Sequence, residues 1–186
     1  MDKSEKVLGE IKDYSEKYPF PIVGPRKGAL LDSLVKKYEP KRILEIGTLV
    51  GYSAILMARH LKNGKIICIE INTESAEIAR ENIKKAGLKN IEIIIGNALE
   101  IIPSIKGDFD FVFIDATKEE YFLYLKTLEG YNKIKRGCIV VADNVKRFAS
   151  YMQDYLNYVR VSSDYESNYY DFPLDNDGME VSIKIN

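Results

Sequence analysis

Several residue types are scarce in this 186-residue chain, which has no tryptophan, one histidine and two cysteines. A zinc site needs several closely spaced His or Cys ligands. Cys68 and Cys138 have no neighbouring Cys or His. We therefore predict two buried, reduced thiols and neither a zinc site nor a disulfide. The net charge of −1 excludes a general electrostatic attraction to nucleic acid.

Long hydrophobic runs are also missing, so no segment reaches the roughly 20 apolar residues that cross a bilayer. The first residues, Met-Asp-Lys-Ser-Glu-Lys, lack the apolar stretch of a secretory signal. We expect a cytoplasmic protein that does not bind membranes. A composition of 46% hydrophobic and 30% charged residues is typical of a globular chain. We predict one domain over residues 1–186, with helices in 1–40 and the core in 41–186.

The hydrophobic period alternates between that of a strand and that of a helix. Short β-branched or aromatic runs predict strands at 42–47, 65–71, 91–95, 109–116 and 137–142. Amphipathic patterns predict helices at 3–17, 26–38, 52–61, 74–86, 119–133 and 145–158. Such alternation predicts a parallel sheet with helices on both faces. Two last strands, at 160–165 and 179–185, are expected to pair antiparallel at one edge.

Two of the predicted strands end in a carboxylate, Asp115 and Asp143. Asn144 follows the second acid, and Lys118 comes three residues after the first. Ligands of an open parallel sheet bind outside the carboxyl ends of the strands. Carboxylate and amide oxygens at this edge are typical of a site for a hard divalent cation. Alternatively, Asp143 and Asn144 cap the helix predicted to follow them.

The first strand leads into a loop with two glycines, in Ile-Leu-Glu-Ile-Gly-Thr-Leu-Val-Gly-Tyr-Ser at 43–53. This is not the G-x-G-x-x-G pattern that binds a pyrophosphate. Glu45, before the first glycine, suits a cationic ligand with an amino group. Glu70 ends the next strand, where a carboxylate can accept the hydroxyls of a ribose. S-adenosylmethionine, a nucleoside without a pyrophosphate, fits both features.

Four segments match a known family in order and spacing. They are Val-Gly-Pro-Arg-Lys-Gly at 23–28, Leu-Glu-Ile-Gly-Thr-Leu-Val-Gly-Tyr-Ser at 44–53, Asp-Ala-Thr-Lys-Glu-Glu-Tyr at 115–121 and Asp-Asn at 143–144. The chain resembles the cation-dependent class I S-adenosylmethionine O-methyltransferases, the catechol and caffeoyl-coenzyme A group with its small microbial members. The likeness covers about 22–144 and returns at Asp-Gly-Met-Glu-Val, 177–181. It implies an α/β Rossmann-like fold whose mostly parallel seven-stranded sheet has the order 3-2-1-4-5-7-6, with the last strand antiparallel.

The resemblance also implies roles for individual residues. Asp115, Asp143 and Asn144 would hold a divalent cation, usually Mg²⁺, and Lys118 would be the base. The positions implied to contact S-adenosylmethionine are Val23, Glu45, Gly47, Gly51, Ser53, Glu70, Ile71, Asn97, Ala98 and Asp115.

The implied reaction is methyl transfer to a hydroxyl oxygen of a small vicinal-diol or phenolic acceptor, by a homodimer. A hydroxylated nucleoside in tRNA is the alternative acceptor, with phosphate contacts from Arg26, Lys27, Lys146 and Arg147 unless these are solvated surface charges. Two other classes stay open. A nicotinamide-dependent oxidoreductase would use the same fold, and a non-catalytic binding protein would use the same scaffold.

Overall fold

A seven-stranded sheet forms the centre of the computed structural model, which describes residues 2–61 and 63–186. The strands are β1 (Arg42–Ile46), β2 (Lys65–Glu70), β3 (Ile91–Ile95), β4 (Phe109–Ile114), β5 (Ile134–Ala142), β6 (Tyr165–Phe172) and β7 (Asp177–Lys184). Their order is β3-β2-β1-β4-β5-β7-β6. The first five strands are parallel, and β7 is antiparallel to both β5 and β6. The predicted fold class and strand order are confirmed.

Helices cover both faces of this sheet. They are α1 (Lys3–Lys17), α2 (Gly24–Tyr38), α3 (Tyr52–Ala58), α4 (Thr73–Ala86), α5 (Ala98–Ile101), α6 (Tyr121–Gly130) and α7 (Gln153–Val161), with single 3₁₀ turns at Ile102–Ser104, Lys118–Glu120, Ala149–Tyr151 and Pro173–Asp175. Side chains of β4 alternate between the faces. Phe111 and Phe113 pack with α1 to α4, whereas Val112 and Ile114 pack with α5 to α7. Burial on both faces explains why this strand is apolar apart from Asp110, near its start.

The prediction for residues 145–165 is wrong in two places. Residues 145–152 form turns and one 3₁₀ turn instead of the first half of a helix, and α7 continues to Val161, where the last strand pair was expected to begin. Tyr155, Leu156 and Val159 keep helical spacing and are buried against the sheet. The helical period of these buried side chains therefore outweighs the β-branched residues that resembled a strand. The antiparallel pairing of the last two strands is confirmed.

Both cysteine thiols are buried and unpaired, as predicted. Burial raises the pKa of Cys68 and of Cys138, which keeps both thiols protonated near neutral pH. In residues 2–61 and 63–186, no helix is long and apolar enough to span a bilayer.

Candidate functional site

A cavity of about 530 Å³ opens at the carboxyl ends of β1, β2, β4 and β5. It lies where the strand order reverses between β1 and β4, which is the usual ligand position in such a sheet. The predicted site residues on its wall are Val23, Gly47, Ser53, Glu70, Ile71, Asn97, Ala98, Asp115, Lys118, Asp143 and Asn144. Glu45 and Gly51 do not line it. The fold thus gathers residues from six separate segments around one space.

The glycines of the first loop have different structural tasks. Gly47 has a φ of 85°, and a Cβ built there would lie 2.3 Å from the backbone oxygen of Asp115. Gly47 therefore allows the end of β1 to approach the end of β4 closely. Gly51 has a φ of 83°, and its Cβ would lie 3.3 Å from the Cβ of Ala79 on α4. Gly51 does not contact the cavity; it allows the start of α3 to pack closely against α4.

Glu70 joins the loops that follow β1 and β2. Its Oε2 accepts hydrogen bonds from the backbone N–H groups of Thr48 (3.1 Å) and Leu49 (2.9 Å), and its Oε1 accepts one from Asn72 (2.9 Å). A carboxylate offers about four acceptor sites. Three are used here, so the backbone of the glycine loop already holds this acid in place. The sequence predicted a ribose contact and missed this structural role.

Glu45 is fully buried, and neither of its carboxylate oxygens accepts a hydrogen bond of good geometry. Burial raises its pKa to about 7, although the nearby Ser53, Thr48 and Cys68 oppose the shift. A buried acid without a partner is costly. An amino group placed near Ser53, which lines the cavity, would supply a favourable opposite charge. The arrangement fits the cationic end of S-adenosylmethionine, and a direct contact with Glu45 stays a prediction.

The two strand-end acids are neighbours in the sheet. Ile114 pairs with Ala142, so Asp115 and Asp143 follow adjacent register positions, and the N–H of Asp143 donates to the oxygen of Ile114 at 3.0 Å. Asp143 is 1% exposed. Burial and the charge of Asp115 raise the pKa of Asp143 to about 7, against the lowering effect of Lys27. Two such carboxylates repel each other, which a cation between them would relieve.

Asn144 completes an oxygen donor set at this edge. It has a left-handed φ of 63°, and its Nδ2 donates to Asp177 Oδ2 at 2.6 Å. Because the amide nitrogen is used, the amide oxygen is available to a cation. Within the described residues no three His, Cys, Asp or Glu side chains form a metal-binding group, so a site here depends on this amide. Two carboxylates and an amide oxygen suit Mg²⁺, and the residues present therefore fit the ion.

The helix-capping alternative for Asp143 and Asn144 is wrong. No helix begins directly after them, since residues 145–148 are in turns. Asp143 instead accepts from the N–H of Asn144 and from a lysine ammonium, and Asn144 contacts Asp177.

Lys118 lies between Asp115 and the buried Tyr121. It starts a 3₁₀ turn, so its side chain reaches back three residues, and Nζ donates to Asp115 Oδ1 and to the Tyr121 hydroxyl, both at 2.8 Å. Tyr121 is fully buried, and burial raises its pKa well above the usual range. Because the Tyr121 hydroxyl stays protonated and buried, it is a fixed hydrogen-bond acceptor for Lys118 Nζ. These two contacts hold the Lys118 amine at the cavity wall.

Lys27 is a site residue that sequence reasoning missed. Its Nζ donates to both carboxylate oxygens of Asp143 at 2.7 Å and to Asp177 Oδ2 at 3.0 Å. The two neighbouring carboxylates raise the pKa of Lys27, although its burial opposes them. The residue is only 6% exposed, so the predicted phosphate contact is wrong for Lys27. Lys27 and the Asp-Gly at 177–178 both belong to sequence segments on which the family resemblance rests.

Two further basic residues also have acidic partners. Arg26 forms an ion pair with Asp175, and Lys146 pairs with Asp171 at 2.9 Å. Arg147 lines the cavity. An extended cluster of four phosphate-binding cations is therefore not formed, and tRNA as an acceptor stays a prediction.

The wall beside Lys118 contains residues that the sequence did not single out. They are Thr117, Glu120, Tyr124 and Phe148. Glu120 accepts a hydrogen bond from the Tyr124 hydroxyl at 2.5 Å, which fixes one side of this wall. Polar and aromatic groups together suit a flat acceptor with hydroxyl groups.

Comparisons with known proteins agree with this geometry. The O-methyltransferase family model matches residues 2–161. Catechol O-methyltransferase B of Danio rerio is 37% identical over 87% of this chain, which spans 64% of that relative's length.

Two solved structures have the same fold. The O-methyltransferase TomG from Streptomyces achromogenes, solved in complex with SAM, has a TM-score of 0.85 and 27% identity, and the match covers 97% of this chain and 90% of that chain. The O-methyltransferase from Bacillus cereus, solved in complex with SAH, has a TM-score of 0.84 and 25% identity, with 99% and 91% covered. Family model, relative and solved structures agree, and the chain belongs to the O-methyltransferase family.

Proposed function

We propose that this protein transfers the methyl group of S-adenosylmethionine to a hydroxyl oxygen of a small vicinal diol or phenol, with the help of a divalent cation such as Mg²⁺. One observation carries the proposal. The glycine loop and Glu70 line the same cavity as the lysine and the oxygen donors at the ends of β4 and β5. A cofactor half and an acceptor half therefore share one space, as methyl transfer requires.

Two acids support the proposal that S-adenosylmethionine binds in this part of the cavity. They are Glu70, which backbone hydrogen bonds hold in place, and the buried Glu45. Glu70 has about one acceptor site left beside its three backbone bonds. That site suits a ribose hydroxyl. Asn97 caps α5 by accepting from the N–H of Leu99 at 2.9 Å, so its amide nitrogen stays available near the proposed adenine position. The solved relative that holds SAM supports the choice of this nucleoside.

The acceptor half supplies orientation and proton transfer. Methyl transfer is an in-line displacement, so the gain comes from holding the oxygen close to the methyl carbon on the correct axis. Asp115, Asp143 and Asn144 would hold the cation, which when bound makes an attached hydroxyl more acidic. Lys118 Nζ, at the wall beside Asp115, would take up the hydroxyl proton. Loss of its own proton to solvent must precede that step.

Three broader proposals rest on the family resemblance and on composition. They are a single domain over residues 1–186, a homodimer and a cytoplasmic location. Light scattering coupled to gel filtration checks the homodimer, and a monomer at micromolar concentration would remove it.

The test of the reaction is formation of S-adenosylhomocysteine from S-adenosylmethionine with a panel of phenolic diols. The matched acceptor is the same ring with one hydroxyl already methylated. We expect most product with the diol and Mg²⁺, little product in excess chelator, and less product with the blocked ring than with the diol, because two free hydroxyls on the cation fix the geometry better than one. Full turnover in chelator contradicts the cation part, and no turnover with any diol or phenol contradicts the acceptor class.

A further inference from the structure

Two buried, charged residues of the site have no role in the chemistry above, namely Lys27 at the start of α2 and Asp177 at the start of β7. Both residues are buried, with 6% and 2% of their surface exposed. They lie 150 positions apart in the chain and bond to each other at 3.0 Å. The inference drawn from them rests on the proposed function, because it concerns the residues that would hold the cation.

Asp177 cannot itself serve as a ligand without losing a bond. Its Oδ1 accepts from the N–H groups of Gly178 (2.8 Å) and Arg147 (3.2 Å), and its Oδ2 accepts from Asn144 Nδ2 (2.6 Å) and Lys27 Nζ (3.0 Å). These four bonds use all the acceptor sites of a carboxylate. Asp177 therefore acts on Asn144, whose amide it turns so that the oxygen points away from the acid.

Asp143, by contrast, keeps capacity for a cation. Lys27 donates to both of its oxygens, and the N–H of Asn144 donates to Oδ1. Three of about four acceptor sites are used, which leaves one on Oδ2. The ammonium thus fixes the plane of the carboxylate without covering both of its oxygens completely.

Charge balance points the same way. Asp143 and Asp177 are two buried carboxylates that share one ammonium, and Lys118 faces Asp115. Without Lys27, the two buried acids would face each other with no positive charge between them, a costly state. With it, the donor edge is already built before a cation arrives, so little reorganisation is left for binding.

We propose that Lys27 and Asp177 are a positioning pair, which holds Asp143 and Asn144 in the orientation that a divalent cation needs. Partners that orient metal ligands typically change metal affinity by about 10- to 100-fold when they are removed. The pair acts through the ligands and touches neither the acceptor nor the methyl group.

The test is the affinity for Mn²⁺, which is measured by calorimetry and, independently, from the spin resonance signal of free Mn²⁺. Lys27→Met keeps most of the length of the side chain and removes its charge. We expect roughly tenfold weaker Mn²⁺ binding or more, unchanged S-adenosylmethionine affinity in chelator, and a rate that recovers at saturating cation. Lys27→Arg keeps the positive charge and can donate to both oxygens of a carboxylate, so it should bind Mn²⁺ more tightly than Lys27→Met.

Arg26→Met is the matched control. It removes one positive charge and one ion pair from the same turn of α2, but its partner Asp175 touches none of the donor residues. Its Mn²⁺ affinity should stay within about twofold of wild type. Loss of a positive charge by itself would favour cation binding, so an equal loss in this control would mean that a general disturbance of α2, and not positioning by Lys27, lowers the affinity.

The inference is overturned if folded Lys27→Met binds Mn²⁺ within about twofold of wild type, or more tightly than wild type, since tighter binding would mean that the ammonium competes with the cation for Asp143. If that variant does not fold, Asp177→Asn decides by the same titration, with the same expected loss and the same overturning result. A wild type that binds no Mn²⁺ removes both this inference and the cation part of the proposed function. A wild type that binds Mn²⁺ and S-adenosylmethionine but methylates no acceptor removes only the proposed reaction.

Discussion

At the scale of single residues, the site is held by buried charges whose partners come from distant parts of the chain. The strand-end acids were found in the sequence because an acid after an apolar run is unusual there. Lys27 was not, because its partners Asp143 and Asp177 lie 116 and 150 positions away. A buried, paired lysine and a solvated one look the same in a sequence, since only the fold decides which acids surround it.

Lys118 gives the first prediction at this scale. If its amine takes up the acceptor's proton, Lys118→Ala should lower kcat, measured at saturating cation, by roughly two to four orders of magnitude, with S-adenosylmethionine affinity nearly unchanged. Higher pH should partly restore the rate, because solvent hydroxide can then remove the proton. Lys126→Ala, at an exposed lysine paired with Glu129, is the control. A kcat within a few-fold of wild type at neutral pH would take Lys118 out of the mechanism.

Glu70 gives the second prediction at the scale of single residues. Glu70→Gln replaces one accepting oxygen by an NH₂ group, which then faces backbone N–H groups that need an acceptor. We expect a loss of about 1–3 kcal/mol in the free energy of unfolding, measured with urea, and at least tenfold weaker S-adenosylmethionine binding by calorimetry. Unchanged stability would show that the backbone bonds contribute little. Unchanged cofactor affinity would separate Glu70 from the ribose.

At the scale of elements, the parallel strands were predictable because most of their side chains are apolar, as expected for β1, β2, β4 and the end of β5, which are buried on both faces. The segment after β5 was not, because the turn at 145–152 places Asn144 and Arg147 against Asp177 rather than continuing as a helix. A contact with a strand that comes 30 residues later has no signature in the local period. The error and the functional edge of the site therefore fall in the same segment.

The loop between β1 and α3 gives a prediction for an element. Gly47→Ala adds a Cβ that would lie 2.3 Å from a backbone oxygen, at a φ of 85°. The loop must move, so we expect a loss of more than about 1 kcal/mol in stability and weak or no S-adenosylmethionine binding. Gly130→Ala is the matched control, because its Cβ meets nothing within 4 Å at the end of α6. That variant should be neutral or slightly more stable in thermal unfolding. Normal cofactor binding by Gly47→Ala would show that the loop adapts.

At the scale of the whole molecule, the buried acid Glu45 links stability to pH. Burial raises its pKa from 4.5 to about 7, so the folded state holds this proton more tightly than the unfolded state does. Its contribution to stability is complete below about pH 4.5 and is lost as the pH rises toward 7. The unfolding free energy should therefore fall by about 1–3 kcal/mol more between pH 5 and pH 7.5 in wild type than in Glu45→Gln. Parallel urea curves for the two proteins at both pH values would contradict this origin of the pH dependence.

The ion pair between Lys27 and Asp177 has a consequence for the order of events during synthesis. A ribosome has already produced every residue proposed to bind the cation when it reaches Asn144. In the complete fold, Lys27 takes its second acid from β7, and Asn144 takes the acceptor for its amide nitrogen from the same strand. Contacts of such long sequence separation form late. A nascent chain halted before Asp177 should thus contain all three donors and still fail to retain Mn²⁺, so that the site becomes competent only with the last strand.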